Sequence, residues 1–212
     1  MIYIIKKKIS SNVISKLKMC RSFFSKGHLS RWFWGNHFNI NGPNSAIKSA
    51  KNCYFMNSTI LINGRNNTVI FEENGVYKGL HIFISGDNNF VRFGKGTIVN
   101  ASKVQPTVIN ACYGTEINIG EGCLFSNNIE IHTTDYHKIY NKNHVLLNPN
   151  KNIIIGKKVW IGLGCKVLKG TQIADGCVIG AGSVLSGKYM DNNTVYVGNP
   201  ALKVKTEIYW EN

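Results

Sequence analysis

The sequence predicts an all-β protein, a parallel β-helix, and three observations carry that expectation. From Ile155 the chain reads in sixes: IGKKVW, IGLGCK, VLKGTQ, IADGCV, IGAGSV, LSGKYM. The opening position of each six is aliphatic (Ile155, Ile161, Val167, Ile173, Ile179, Leu185), and the fifth is small or β-branched (Val159, Cys165, Thr171, Cys177, Ser183). Upstream, INGPNSAI at Ile40, INGRNNTVIF at Ile62 and ISGDNNFVRF at Ile84 recur at one wider, constant interval. Neither the helical period nor the strand period gives sixes. Each six is a short strand plus a corner, and three make one triangular coil. Stacked coils align the aliphatic positions into an interior column. After one irregular six, DNNTVY, the segment VGNPAL is expected to return in phase, with Val197 inside the column.

Residues 1–36 stand apart. Ile9, Val13, Leu17 and Cys20, with Ile14 alongside, have helical spacing, and lysines fill the intervals. A short helical extension with a cationic face follows. It has two compatible readings: a cap on the open first coil, or a basic amphipathic helix resting on anionic lipid through Phe23, Phe24, Trp32, Phe33 and Trp34.

Residues 37–205 form the predicted β-helix domain. The early, wider repeat is one coil with a longer corner, and its Asn-rich corners tolerate the positive φ of tight turns. Phe93-Gly94 and Val99-Asn100 continue the rungs, Ile119 to Cys123 restores the strict form, and two more rungs end at Asp135. Residues 136–152 are polar and show no rung, so an ejected loop is expected there, and loops of that length on a rigid scaffold usually serve function. The repeat resumes at Ile153. Beyond Pro200 the register is lost, and residues 206–212 are a tail expected to pack back on the last coil.

A chain of 212 residues is enough for one domain with a sizeable core. Its longest apolar runs fall far short of the roughly 18 residues of a membrane span. The start, MIYIIKKKISS, has no apolar core of a secretory leader, so a cytoplasmic location is expected, peripheral at the inner membrane face if the extension meets lipid. The net charge of +14 suits an anionic partner or reflects a Lys/Asn/Ile-rich composition. The basic residues are dispersed and belong to no nucleic-acid module, which argues against nucleic acid. The six cysteines form no CxxC pair, and Cys123, Cys165 and Cys177 occupy small rung positions as compact fillers. The Gly180–Gly182 glycines lack the strand–loop–helix context of a phosphate loop.

Three segments carry a family resemblance: Thr134-Asp135-Tyr136-His137, Ile153 to Gly162 with Trp160, and Val197 to Ala201. Together they resemble the hexapeptide-repeat acyltransferases, most of all the O-acetyltransferases of bacterial surface polysaccharides and of sugars. The likeness covers roughly residues 110–205, extends to 40–110 only as general repeat character, and leaves out 1–36. It implies a left-handed β-helix, a homotrimer with sites between subunits, acetyl-CoA as donor, and a glycan acceptor of a capsule or O-antigen, sialic-acid polymers included. Transfer would be direct, with no acyl-enzyme.

In that resemblance His137 is the general base, and Trp160 lines the donor and acceptor cleft or else only a trimer interface. Gly162, Gly180 and Ala181 belong to the donor-binding set. Lys188, Lys203 and Lys205 are candidates for the coenzyme A phosphates, and Gly198, Asn199, Pro200 and Ala201 lie along its adenine end. The chemistry agrees with the residues: a sugar hydroxyl needs a base at neutral pH, and imidazole suits that work. Asp135 either orients the imidazole or is a turn residue. The other histidines (His28, His37, His81, His132, His144) rank below His137. His132 and His137 have the five-residue spacing of the zinc ligands in gamma-class carbonic anhydrases, but the third ligand position falls at Gly96, so no metal is expected. A rival of another class is a non-catalytic trimeric scaffold, which coenzyme A binding would distinguish.

Overall fold

A computed structural model describes residues 35–211. Apart from Gly35 and Asn36, the expected N-terminal extension lies outside the described residues. Among the described residues there are twenty-two strands, β1 (His37–Asn41) to β22 (Ala201–Lys205), and no helix; all but the last strand wind into a parallel β-helix. Every third strand falls on the same face. The first face runs from β1 to β19 (Val184–Leu185), the second from β2 (Ala46–Ser49) to β20 (Lys188–Tyr189), and the third from β3 (Tyr54–Met56) to β21 (Val195–Gly198). Strand β22 then turns back antiparallel on β21.

The coil narrows along its length. His37 pairs with Thr59 and Thr59 with His81, whereas Trp160 pairs with Val178 and Lys166 with Val184. A longer perimeter encloses a wider interior, and aromatic side chains fill it: Phe55 stacks on Tyr77 at 5.0 Å and Phe71 on Phe93 at 4.9 Å. Gly75 makes room for this filling, since a Cβ there would lie 2.4 Å from the Tyr77 hydroxyl. The Asn-rich corners hold one coil to the next. Asn41 bonds Asn63 at 3.0 Å, Asn66 bonds Asn88 at 3.1 Å, and the buried pair Asn67 and Asn89 meet at 2.9 Å. Asn66 and Asn88 also adopt the positive φ expected of them, 57° and 60°.

In the narrow half the six-residue pattern becomes geometry. Ile155, Ile161, Val167, Ile173, Ile179 and Leu185 are buried in the column, and so are Val159, Cys165, Thr171, Cys177 and Ser183 between them. Burial pushes the thiols up, that of Cys123 to about 12, so these cysteines pack as apolar groups.

One expectation fails. Tyr196, not Val197, pairs with Ile179 and enters the column. The irregular coil is one residue short of the regular ones, and a one-residue slip turns every side chain over. Val197 instead sits above Gly180, where a Cβ would come within 2.2 Å of it. Tyr189 and Tyr196 then close the column edge to face at 5.0 Å. An extra corner at residues 101–106 lengthens one coil, so that Leu80 pairs with Thr107 and Val104 is left exposed. The tail packs back as expected: Ile208 N–H donates to Asn193 O and the Trp210 indole to Lys158 O, both at 2.9 Å.

Candidate functional site

The ejected loop leaves the coil after β13 (Glu130–His132) and rejoins it at β14 (Ile153–Ile155), at the corner between the first and second faces. Its entry is a tight turn. The buried Thr134 hydroxyl accepts from Tyr136 N–H at 3.0 Å, Tyr136 takes φ 63°, and His137 N–H donates to Asp135 O at 2.7 Å. That turn sets His137 outside the coil with its ring exposed and, among the described residues, without a hydrogen-bond partner. Farther out, the loop folds on itself through Leu147 N–H to Ile139 O and Asn141 N–H to Val145 O.

Asp135 does not meet the imidazole, which corrects the expected orienting contact. Its Oδ2 pairs with Lys169 Nζ at 2.6 Å and accepts from Asn148 Nδ2 at 2.8 Å. The Lys169 ammonium, then the Asn148 amide, hold this carboxyl below the ordinary aspartate range. Sequence reasoning missed both partners. Lys169 lies in the corner between β16 (Lys166–Val167) and β17 (Gln172–Ile173), and Asn148 sits in the loop's return path.

Beside the loop's base, Lys151, Lys169 and Lys188 line an open groove of about 580 Å³ with Gln172, Ser186 and neighbouring glycines and asparagines. No acidic side chain lines it, so its field favours an anion. Lys188, expected to meet phosphates, lies in this groove. Lys203 does not: it pairs with Asp191 at 3.0 Å, and each group shifts the other toward its charged form. Lys205 ends β22, exposed.

The remaining expected donor residues gather at another corner, between the third and first faces. Gly162 follows β15 (Trp160–Ile161), and Gly180 and Ala181 follow β18 (Val178–Ile179). A Cβ on Gly162 would lie 2.8 Å from Ala181 N and Ile179 O, so this glycine is required by coil packing itself. Gly198 N–H donates to Ser183 Oγ at 3.1 Å, which ties the β21–β22 hairpin, with Asn199, Pro200 and the buried Ala201, to the same corner. Trp160 projects from the third face, 38% exposed, with the Trp210 ring 6.1 Å away. One copy therefore places His137 and the basic groove on one corner and the glycine-rich segments on another.

His132 is half-buried on the first face. It lies 3.5 Å from Glu130 Oε2 and 3.2 Å from Asn110 Nδ2. Among the described residues no group of three His, Cys, Asp or Glu side chains converges as metal ligands. Nor is any helix there long and apolar enough to cross a membrane.

Residues 152–187 match the family model described as bacterial transferase hexapeptide (six repeats). The chain is 41% identical over 56 residues to a polysialic acid O-acetyltransferase of Neisseria meningitidis, 26% of each protein. It is 34% identical over 94 residues to a galactoside O-acetyltransferase of Lactococcus lactis, 44% of each. These and the other curated relatives are matched over 26% to 62% of their own lengths. The crystal structure of the polysialic acid O-acetyltransferase OatWY superposes with a TM-score of 0.63 at 26% identity, covering 84% of this chain and 88% of that one. With three parallel faces, sixes from Ile155 and this superposition together, the chain is a left-handed parallel β-helix protein, and its residues 152–187 are similar to the bacterial transferase hexapeptide repeat.

Proposed function

We propose that the chain is an O-acetyltransferase that moves an acetyl group from acetyl-CoA to a sugar hydroxyl, with His137 as general base. The observation that carries this reading is the exposed, unpartnered imidazole fixed at the base of the ejected loop, next to a basic groove. Relatives named for polysialic acid and for a galactoside share a sugar hydroxyl as the acceptor class. In this mechanism His137 takes the hydroxyl proton as the oxygen attacks the thioester carbonyl. Coenzyme A then leaves as the thiol, and no acyl-enzyme forms. A backbone N–H of a neighbouring coil meets the oxyanion. Lys151 and Lys188 attract the phosphates of the donor.

The division of the site between two corners supports a homotrimer, in which the His137 corner of one copy faces the Gly162 and Gly198 corner and Trp160 of the next. An acceptor on a capsule or O-antigen glycan, an anionic sialic-acid polymer among them, fits the charge of +14. A cytoplasmic protein, with residues 1–36 capping the first coil or resting on the inner membrane face, completes the reading.

The test is thiol release from acetyl-CoA with a panel of purified glycans. His137→Ala should cut turnover by roughly 10²–10⁴-fold with an unchanged unfolding transition. Near-normal turnover would remove His137 from the role. Failure of acetyl-CoA to raise the thermal midpoint of the native chain would favour a non-catalytic scaffold.

A further inference from the structure

The loop carrying His137 holds no strand or helix, only an isolated antiparallel bridge between Tyr140 and Leu146, yet one side chain in it makes an unusual set of bonds. Asn148 Oδ1 accepts from Ile139 N–H at 2.7 Å, and its Nδ2 donates to His137 O at 2.8 Å and to Asp135 Oδ2 at 2.8 Å. The amide thus spends its donors and its acceptor on residues 135, 137 and 139, alternate positions centred on the histidine. Lys169, anchored in the next coil, completes the fastening. Its Nζ donates to Asn148 O at 2.8 Å and pairs with Asp135 Oδ2 at 2.6 Å. Only 15% of that lysine side chain is exposed, so its charge is held largely away from water and screened little. With His137 N–H on Asp135 O, both polar groups of the His137 residue's backbone are fixed while its ring stays open.

We propose that Asn148 and Lys169 are positioning residues, a two-part buckle that sets the His137 backbone and thereby aims its imidazole at the acceptor. This rests on the reading of His137 as general base. The physical ground is entropic: an unfastened loop of this length spreads the ring over many positions, and a misplacement of about 1 Å can cost on the order of 10²-fold in rate. Asn148 does not line the groove, so its loss appears in turnover and leaves donor binding alone.

A double-mutant comparison tests it. Asn148→Ala is expected to lower kcat by about 10–10²-fold with the KM for acetyl-CoA unchanged; Lys169→Met, which also removes a charge from the groove, is expected to lower kcat to a similar extent, and Lys169→Arg to restore most of the rate. In a His137→Ala background, Asn148→Ala should cause no further loss, because the amide acts only through the ring it positions. If His137→Ala alone is harmless, the base assignment fails and not the buckle. If His137→Ala is damaging but Asn148→Ala and Lys169→Met leave kcat intact, or lower it equally in the His137→Ala background, the buckle is overturned. Lys169→Met approaches the same fastening from the coil, so the buckle can be refuted even where the Asn148 variant misfolds.

Discussion

The indole rings of Trp160 and Trp210 lie 6.1 Å apart and tilted by 46°, with the tail ring held in place by its N–H bond to Lys158 O. The last residues of the chain therefore cover part of an aromatic that the strand pattern alone would leave bare on the third face. Trp210→Ala should expose Trp160 further. Acrylamide quenching of Trp160, read with Trp32 and Trp34 replaced by Phe, is expected to rise. The unfolding midpoint should stay near its native value, because the partner is a surface ring. Unchanged quenching would mean that the tail does not shield Trp160 in solution.

Gly162 has two competing roles, and they predict different losses. A methyl group on it would press on Ala181 N and Ile179 O at 2.8 Å, backbone atoms that cannot swing aside. Gly162→Ala should therefore cost about 1–3 kcal/mol in urea unfolding. Gly187→Ala is the control, since nothing lies within 4 Å of a Cβ there. A Gly162→Ala chain of native stability but weakened acetyl-CoA affinity would assign the residue to the donor instead.

The sign of the pH response follows from Asp135. Lys169 and Asn148 depress its carboxyl from the ordinary 3.8. A depressed carboxyl stabilises the fold above its unfolded value, and that contribution is lost as pH falls through the folded value. The fastening should thus be constant from neutral pH down to about pH 4 and weaken below the ordinary aspartate value. Amide exchange across residues 135–148, corrected for intrinsic rates, should show protection falling only in that acidic window. Asp135→Asn should already show the loss at pH 7. Because the carboxylate is nearly half exposed, the change should be confined to the loop.

The interior column was legible because Ile155 to Leu185 repeats a single spacing, and only one backbone geometry buries all of those positions. That His137 sits outside the coil was legible from the lapse of the rungs after Asp135, while its proposed role came from the resemblance. Its neighbours were not. Asn148 sits in an aperiodic segment, and Lys169 is one lysine among many, so nothing local marks either as a partner of Asp135. Their meeting depends on how the loop folds back over the next coil. The Val197 expectation failed for a related reason: a missing residue in an irregular rung leaves no trace in the residues after it, and Tyr196 looks no more apolar than its neighbour. Phe93 was readable as a rung, but the stack it shares with Phe55, Phe71 and Tyr77 follows from the wider coil.

A stack of like rungs has no natural stopping point, since each finished coil offers open N–H and C=O groups to another. Strand β22 answers that problem at the C-terminal end of the third face. It runs opposite to the strand beside it, and its exposed Lys205 carries charge where an incoming edge would dock. The first two faces finish there in strands of only two residues, β19 and β20. Reversed direction, charge and brevity deny a second molecule a matching template, so the C-terminal end of the solenoid resists fibre growth.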